Sequence, residues 1–161
     1  MGLDNMPHKY PCETQGTAVM EIVIYEADGT RHERIDCVET VAADGCPFTN
    51  AKPPPGQVVG MLGTFCWYRG KYGNWLIRAL NGLDPDEFDD TNGADFYGTD
   101  EDGIYRQPHE CNELARAMEI ALAQQGGTLA LHGEDVTKEV KFAIWYLRWT
   151  AAECEGMDAW F

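Results

Sequence analysis

The feature that most constrains the fold is a helical pattern near the end of the chain, over residues 137–155. Its aliphatic residues form one apolar stripe along the helix, and its aromatic residues extend that apolar surface around almost the whole circumference. Such a helix must be covered from two sides, either by its own domain or by a second copy of the chain. The pattern therefore predicts a central helix capped by Thr137, with a homodimer through this helix as an alternative. Its apolar residues are Val140, Phe142, Ala143, Ile144, Trp145, Tyr146, Leu147, Trp149 and Ala151.

Two further helices are predicted upstream. Over residues 107–125, Pro108 suits the first helical position, Glu110 suits the positive N-terminal end, and Gly126-Gly127 is a stop signal. A shorter helix is predicted over residues 74–81, with Asn74 as N-cap and Gly82 just past its end.

The strand signals lie mostly before these helices. Residues 17–26 and 31–40 alternate around Asp28-Gly29 and predict an antiparallel hairpin, while residues 58–65 and 129–131 are candidate further strands. Residues 1–16 are predicted as an extended arm without regular structure. Residues 42–57, which contain three consecutive prolines, are predicted as a Pro-rich loop.

Strands that come first and main helices that come last are typical of the α+β class. We therefore expect a small antiparallel sheet, made of the N-terminal hairpin plus one or two further strands. It packs against two main C-terminal helices and a short middle helix. A chain of 161 residues is expected to form a single globular domain over residues 1–161.

The charge of the chain restricts its partners. There are 27 acidic residues against 12 basic ones, a net charge of −15, which repels nucleic acid and favours a basic protein as partner. The sequence shows no apolar stretch of membrane-spanning length and no signal-peptide pattern at its start. We expect a cytoplasmic protein with reduced thiols and no membrane contact.

Much of this charge lies in residues 84–103, named here the acidic segment and predicted as a loop. No basic residue occurs between Arg78 and Arg106, and three aromatic residues, Phe88, Phe96 and Tyr97, offer apolar anchors for an interface. The pattern predicts a partner-binding site. A solvated loop and a nonstandard Ca²⁺ or Mg²⁺ site are the alternatives, because Phe88 breaks the EF-hand spacing. The acidic residues are Asp84, Asp86, Glu87, Asp89, Asp90, Asp95, Asp100, Glu101 and Asp102.

Motifs for catalysis are sparse. The chain has no serine, no C-x-x-C and no Gly-rich nucleotide loop. Cys66 or Cys111 could form a thiol–imidazole pair with His109, and Cys111, near a helix start, would have a lowered pKa. His109 and Cys111 are also candidates for a zinc site. We expect buried thiols instead, and hence no catalytic residue, no metal and no cofactor.

These observations favour an acidic protein-interaction module that inhibits a cationic nucleic-acid-binding protein by mimicking nucleic acid. In size and charge the chain resembles the small phage-borne inhibitors of host defence, such as anti-restriction and anti-CRISPR proteins. That resemblance implies a counter-defence role and is carried by no motif. The alternatives are a small metal-dependent enzyme that uses carboxylates with His109 or His132, and an immunity protein that neutralises a basic toxin.

Overall fold

The computed structural model describes residues 3–9, 20–23, 34–37, 54, 68–70, 73–84 and 104–160. This part confirms the predicted α+β class. Its three helices and eight strands are, in chain order, β1 (Leu3–Pro7), β2 (Met20–Val23), β3 (Arg34–Cys37), β4 (Tyr68–Gly70), α1 (Gly73–Leu80), β5 (Ile104–Arg106), α2 (Pro108–Gln124), β6 (Ala130–Leu131), β7 (Glu134–Asp135), α3 (Thr137–Glu153) and β8 (Met157–Trp160).

The main sheet has four antiparallel strands in the order β4-β1-β8-β5. Strand β1 lies inside it, with Asn5 opposite both Tyr68 and Ala159. The prediction of an arm without regular structure is therefore wrong for Leu3–Pro7. This stretch has no β-branched residue, so its strand conformation depends on pairing with two distant segments rather than on local propensity.

The predicted hairpin is confirmed as an antiparallel pair, in which Ile22 of β2 lies opposite Ile35 of β3. Within the described residues this pair is a separate two-stranded sheet, so the main sheet is not built on the hairpin. The Pro-rich loop over residues 42–57, apart from Pro54, and the candidate strand over residues 58–65 lie outside the described residues.

Helix α3 is the central helix that its apolar pattern predicts. One side packs against α2, where Arg148 forms a two-pronged ion pair with Glu119 at 2.7 and 3.0 Å. On the other side, the Tyr146 hydroxyl donates a hydrogen bond to the backbone oxygen of Asn5 at 3.1 Å. The rings of Phe142 and Tyr146 contact that of Tyr68 on β4. The apolar faces of α3 are thus buried within the chain, and the homodimer stays a prediction without support from this helix.

The start and end of α3 differ from the sequence expectation. Thr137 is the first helical residue and Val136 is the N-cap, while the Asp135 carboxylate accepts a hydrogen bond from the Thr137 backbone N–H at 2.9 Å. The Thr137 hydroxyl instead accepts one from the Leu129 N–H. The helix ends at Glu153, and the chain then forms β8, a strand that the sequence pattern did not predict.

Helices α1 and α2 follow their predicted boundaries closely, although α1 begins at Gly73 rather than after an N-cap at Asn74. The backbone N–H of Gln107 donates to the Glu110 carboxylate at 2.7 Å, which closes the start of α2. Gly82 follows α1 with φ +69°, a conformation that favours glycine. No helix of the described ranges is both long and apolar enough to cross a bilayer.

The bond between Tyr146 and Asn5 gives a test of how α3 is fastened to the sheet. Tyr146→Phe should lower the free energy of unfolding by about 1–2 kcal/mol, because it removes a buried hydroxyl donor from a backbone carbonyl. Tyr105→Phe is the matched control: its hydroxyl also donates to a backbone carbonyl but at an exposed site, so the expected loss is below about 0.5 kcal/mol. Urea denaturation measures both unfolding free energies. Equal losses in the two variants would contradict a special contribution of the buried bond between Tyr146 and Asn5.

Candidate partner-binding site at the acidic segment

The structure describes the first residue of the acidic segment and the two elements that flank it. Asp84 is exposed, and its backbone carbonyl accepts a hydrogen bond from Arg78 Nε at 2.9 Å. The other predicted site residues lie outside the described residues, so their arrangement stays a prediction. They are Asp86, Glu87, Phe88, Asp89, Asp90, Asp95, Phe96, Tyr97, Asp100, Glu101 and Asp102.

The N-terminal anchor of the segment is the end of α1. The N–H groups of Gly82 and Leu83 donate to the carbonyls of Ala79 and Arg78, a Schellman arrangement that closes the helix. Gln125, just past the end of α2, donates from Nε2 to the carbonyls of Ala79 and Leu80 at 2.6 and 2.9 Å. The end of α1 is therefore fixed to the C-terminal end of α2.

The C-terminal anchor is β5, which lies at one edge of the four-stranded sheet and leads through Gln107 into the first turn of α2. Leu80 and Arg106 are thus held at opposite ends of α2. A helix of 17 residues is about 25 Å long. The acidic segment therefore connects two elements that are held at opposite ends of a helix of about that length.

A cluster of polar and aromatic side chains surrounds the C-terminal anchor. His8 Nδ1 lies 3.2 and 3.1 Å from the two carboxylate oxygens of Asp158, which sits opposite Tyr105 in the sheet. The imidazole packs on the Tyr105 ring with centroids 3.9 Å apart. The Tyr105 hydroxyl donates to the Glu155 carbonyl at 2.9 Å, and Lys9 forms an ion pair with the Glu155 carboxylate.

Gly156 allows this close packing. Its φ of +110° is rarely adopted by other residues, and a Cβ there would clash with the backbone oxygen of Arg106 and touch the Tyr105 ring. The bare Cα lets the turn after α3 lie against β5. No local pattern predicts this cluster, because its members are far apart in the chain and depend on the unpredicted strands β1 and β8.

Gly156→Ala is expected to destabilise the fold through both backbone strain and the clash with β5. Gly133→Ala is the control, because Gly133 also has positive φ, at +80°, but open space around it. Urea denaturation should show Gly156→Ala to be less stable than Gly133→Ala by at least about 1 kcal/mol. Similar stabilities would mean that the approach of Gly156 to β5 is unimportant.

The candidate thiol site is not formed as the sequence suggested. His109 is exposed and Cys111 is fully buried, with its thiol 3.6 Å from the Arg106 carbonyl oxygen. Burial raises the pKa of the Cys111 thiol to about 11, so the expected lowering near the helix start is wrong. Cys154 is also buried and free. Among the described residues, no group of three or more His, Cys, Asp or Glu side chains is placed to hold a metal ion.

Comparison of the chain with protein-family models, with curated proteins and with solved structures finds no match.

The raised pKa of Cys111 predicts how the protein responds to alkali. Its neutral thiol contributes stability that is fully present below about pH 9 and is lost as the pH rises toward about 11. The native protein at pH 8.5 should therefore be alkylated at Cys111 by iodoacetamide about 10- to 100-fold more slowly than the unfolded chain. Peptide mapping by mass spectrometry measures this. Equally fast labelling of native Cys111 would contradict its burial.

Proposed function

We propose that this protein is a non-enzymatic, acidic interaction module that inhibits a cationic nucleic-acid-binding protein by occupying its basic surface. The observation that carries the proposal is the one-sided charge of the acidic segment. Nine acidic residues and no basic one lie between Arg78 and Arg106. A basic partner is attracted by such a surface, and a nucleic acid is repelled by it.

The two anchors support this proposal because the acidic segment connects two elements that are held at opposite ends of α2. The segment carries nine carboxylates within 20 residues, about one for every two residues. One strand of duplex DNA presents a phosphate about every 3.4 Å. A basic groove that binds such a phosphate backbone would also attract this run of carboxylates.

The fixed anchors also reduce the entropy that binding costs. The end of α1 is tied to α2 by Gln125, and β5 is tied to the sheet and to the cluster around Tyr105. A segment fastened at both ends samples fewer conformations than a free tail of the same length, so less order must be gained on binding. This arrangement favours a defined protein-binding interface over the alternative of a solvated loop.

The test is competition for DNA on a basic protein. Core histones carrying a short fluorescent DNA duplex serve as the probe, and DNA release is followed by fluorescence anisotropy at increasing salt. Wild type should displace the DNA at low salt and lose this ability as salt screens the charges. A variant with Asp86, Asp89, Asp90, Asp100 and Asp102 all changed to Asn should compete at least about tenfold more weakly.

A matched variant separates the acidic segment from net charge. Changing Glu13, Glu26, Glu113 and Glu153 to Gln and Asp28 to Asn removes the same number of negative charges at positions outside the segment. This control should compete nearly as well as wild type. If both variants lose the same affinity, the effect belongs to net charge, and if neither loses any, the proposed function is wrong.

A further inference from the structure

Tyr105 is an exposed aromatic ring that the fold holds in one orientation. It is 45% exposed, although it lies in the centre of strand β5. Its hydroxyl is bonded to the Glu155 carbonyl, its edge lies beside Gly156, and the His8 imidazole packs on the ring. Three contacts therefore fix the ring, and its exposed surface is the part that His8 does not cover.

The position of Tyr105 connects it to the proposed interface. It is the second residue of β5 and lies two residues after the end of the acidic segment. A basic partner drawn to the segment brings arginine and lysine side chains to this edge of the sheet. Lys9, a cation of the same cluster, is itself paired with Glu155 at 2.7 Å, and Asp158, opposite Tyr105 in the sheet, adds a further negative charge.

We infer that Tyr105 is the anchor on which an arginine side chain of the basic partner stacks; this inference rests on the proposed function. A guanidinium group is planar and weakly hydrated and stacks on aromatic faces, whereas the lysine ammonium is compact and strongly hydrated. A ring that is already fixed loses little conformational freedom on binding. The interface should therefore prefer arginine to lysine, a preference that charge alone does not give.

The probes are two peptides of equal charge, nona-arginine and nona-lysine, titrated into the full-length protein and followed by calorimetry. Wild type should bind the arginine peptide more tightly by about two- to fivefold. Tyr105→Phe keeps the aromatic face and the contacts with His8 and Gly156, so it should keep most of this ratio. Tyr105→Ala should reduce the ratio to near one while leaving the affinity for the lysine peptide almost unchanged.

Tyr105→Leu is the second variant: it keeps side-chain bulk against Gly156 and His8 but has no aromatic face, so it too should lose the arginine preference. Circular dichroism and thermal unfolding confirm that each variant is folded. If the folded Ala or Leu variant keeps the wild-type ratio, or if wild type shows no preference for the arginine peptide, the inference about Tyr105 is overturned.

The variant with five Asp→Asn changes in the acidic segment separates the two proposals. If it binds both peptides weakly while Tyr105→Ala keeps the ratio, the proposed function stands and the arginine anchor fails.

Discussion

Helix α3 can be buried only if other elements cover it from two directions, and the rest of the described structure supplies that cover. Helix α2 covers one side and the four-stranded sheet the other. Helix α3 contacts the sheet through hydrogen bonds as well as through apolar packing. The Tyr146 hydroxyl meets the Asn5 backbone, and the Asn5 side chain donates to the Tyr68 carbonyl at 2.9 Å. One chain of bonds thus connects α3, β1 and β4 and fixes their relative positions.

The elements that hold the acidic segment depend on this same arrangement. Helix α1 is held by the end of α2, and β5 is held by β8, which continues directly from α3. Like charges that are close together in the chain repel one another, so anchors fixed by other contacts help to hold the ends of such a segment. The described anchors draw their stability from burial and backbone pairing.

The sequence predicted the helices well because their periodicity, capping residues and glycine stops are local signals. Gln107, Pro108 and Gly126 mark the ends of α2 without reference to the rest of the fold. It failed where the conformation is imposed from a distance: Leu3–Pro7 has no strand pattern, yet β8 and β4 make it a strand. The cluster of His8, Tyr105 and Asp158 could not be predicted for the same reason. Of the candidate site, the charge pattern came from sequence, while the spacing of its anchors needed the structure.

The position of β1 has a consequence for how the chain folds. Strand β1 lies between β4 and β8, and His8 at its end contacts Asp158, 150 residues further along the chain. Helices α2 and α3 are neighbours in sequence and can pair early, but the main sheet cannot be completed until β8 has been synthesised. Until then, Leu3–Pro7 lacks one of its two partner strands. During synthesis on the ribosome, β1 therefore stays without its partner β8 until most of the chain has been made. Completion of the sheet is expected to be a late, slow step of folding.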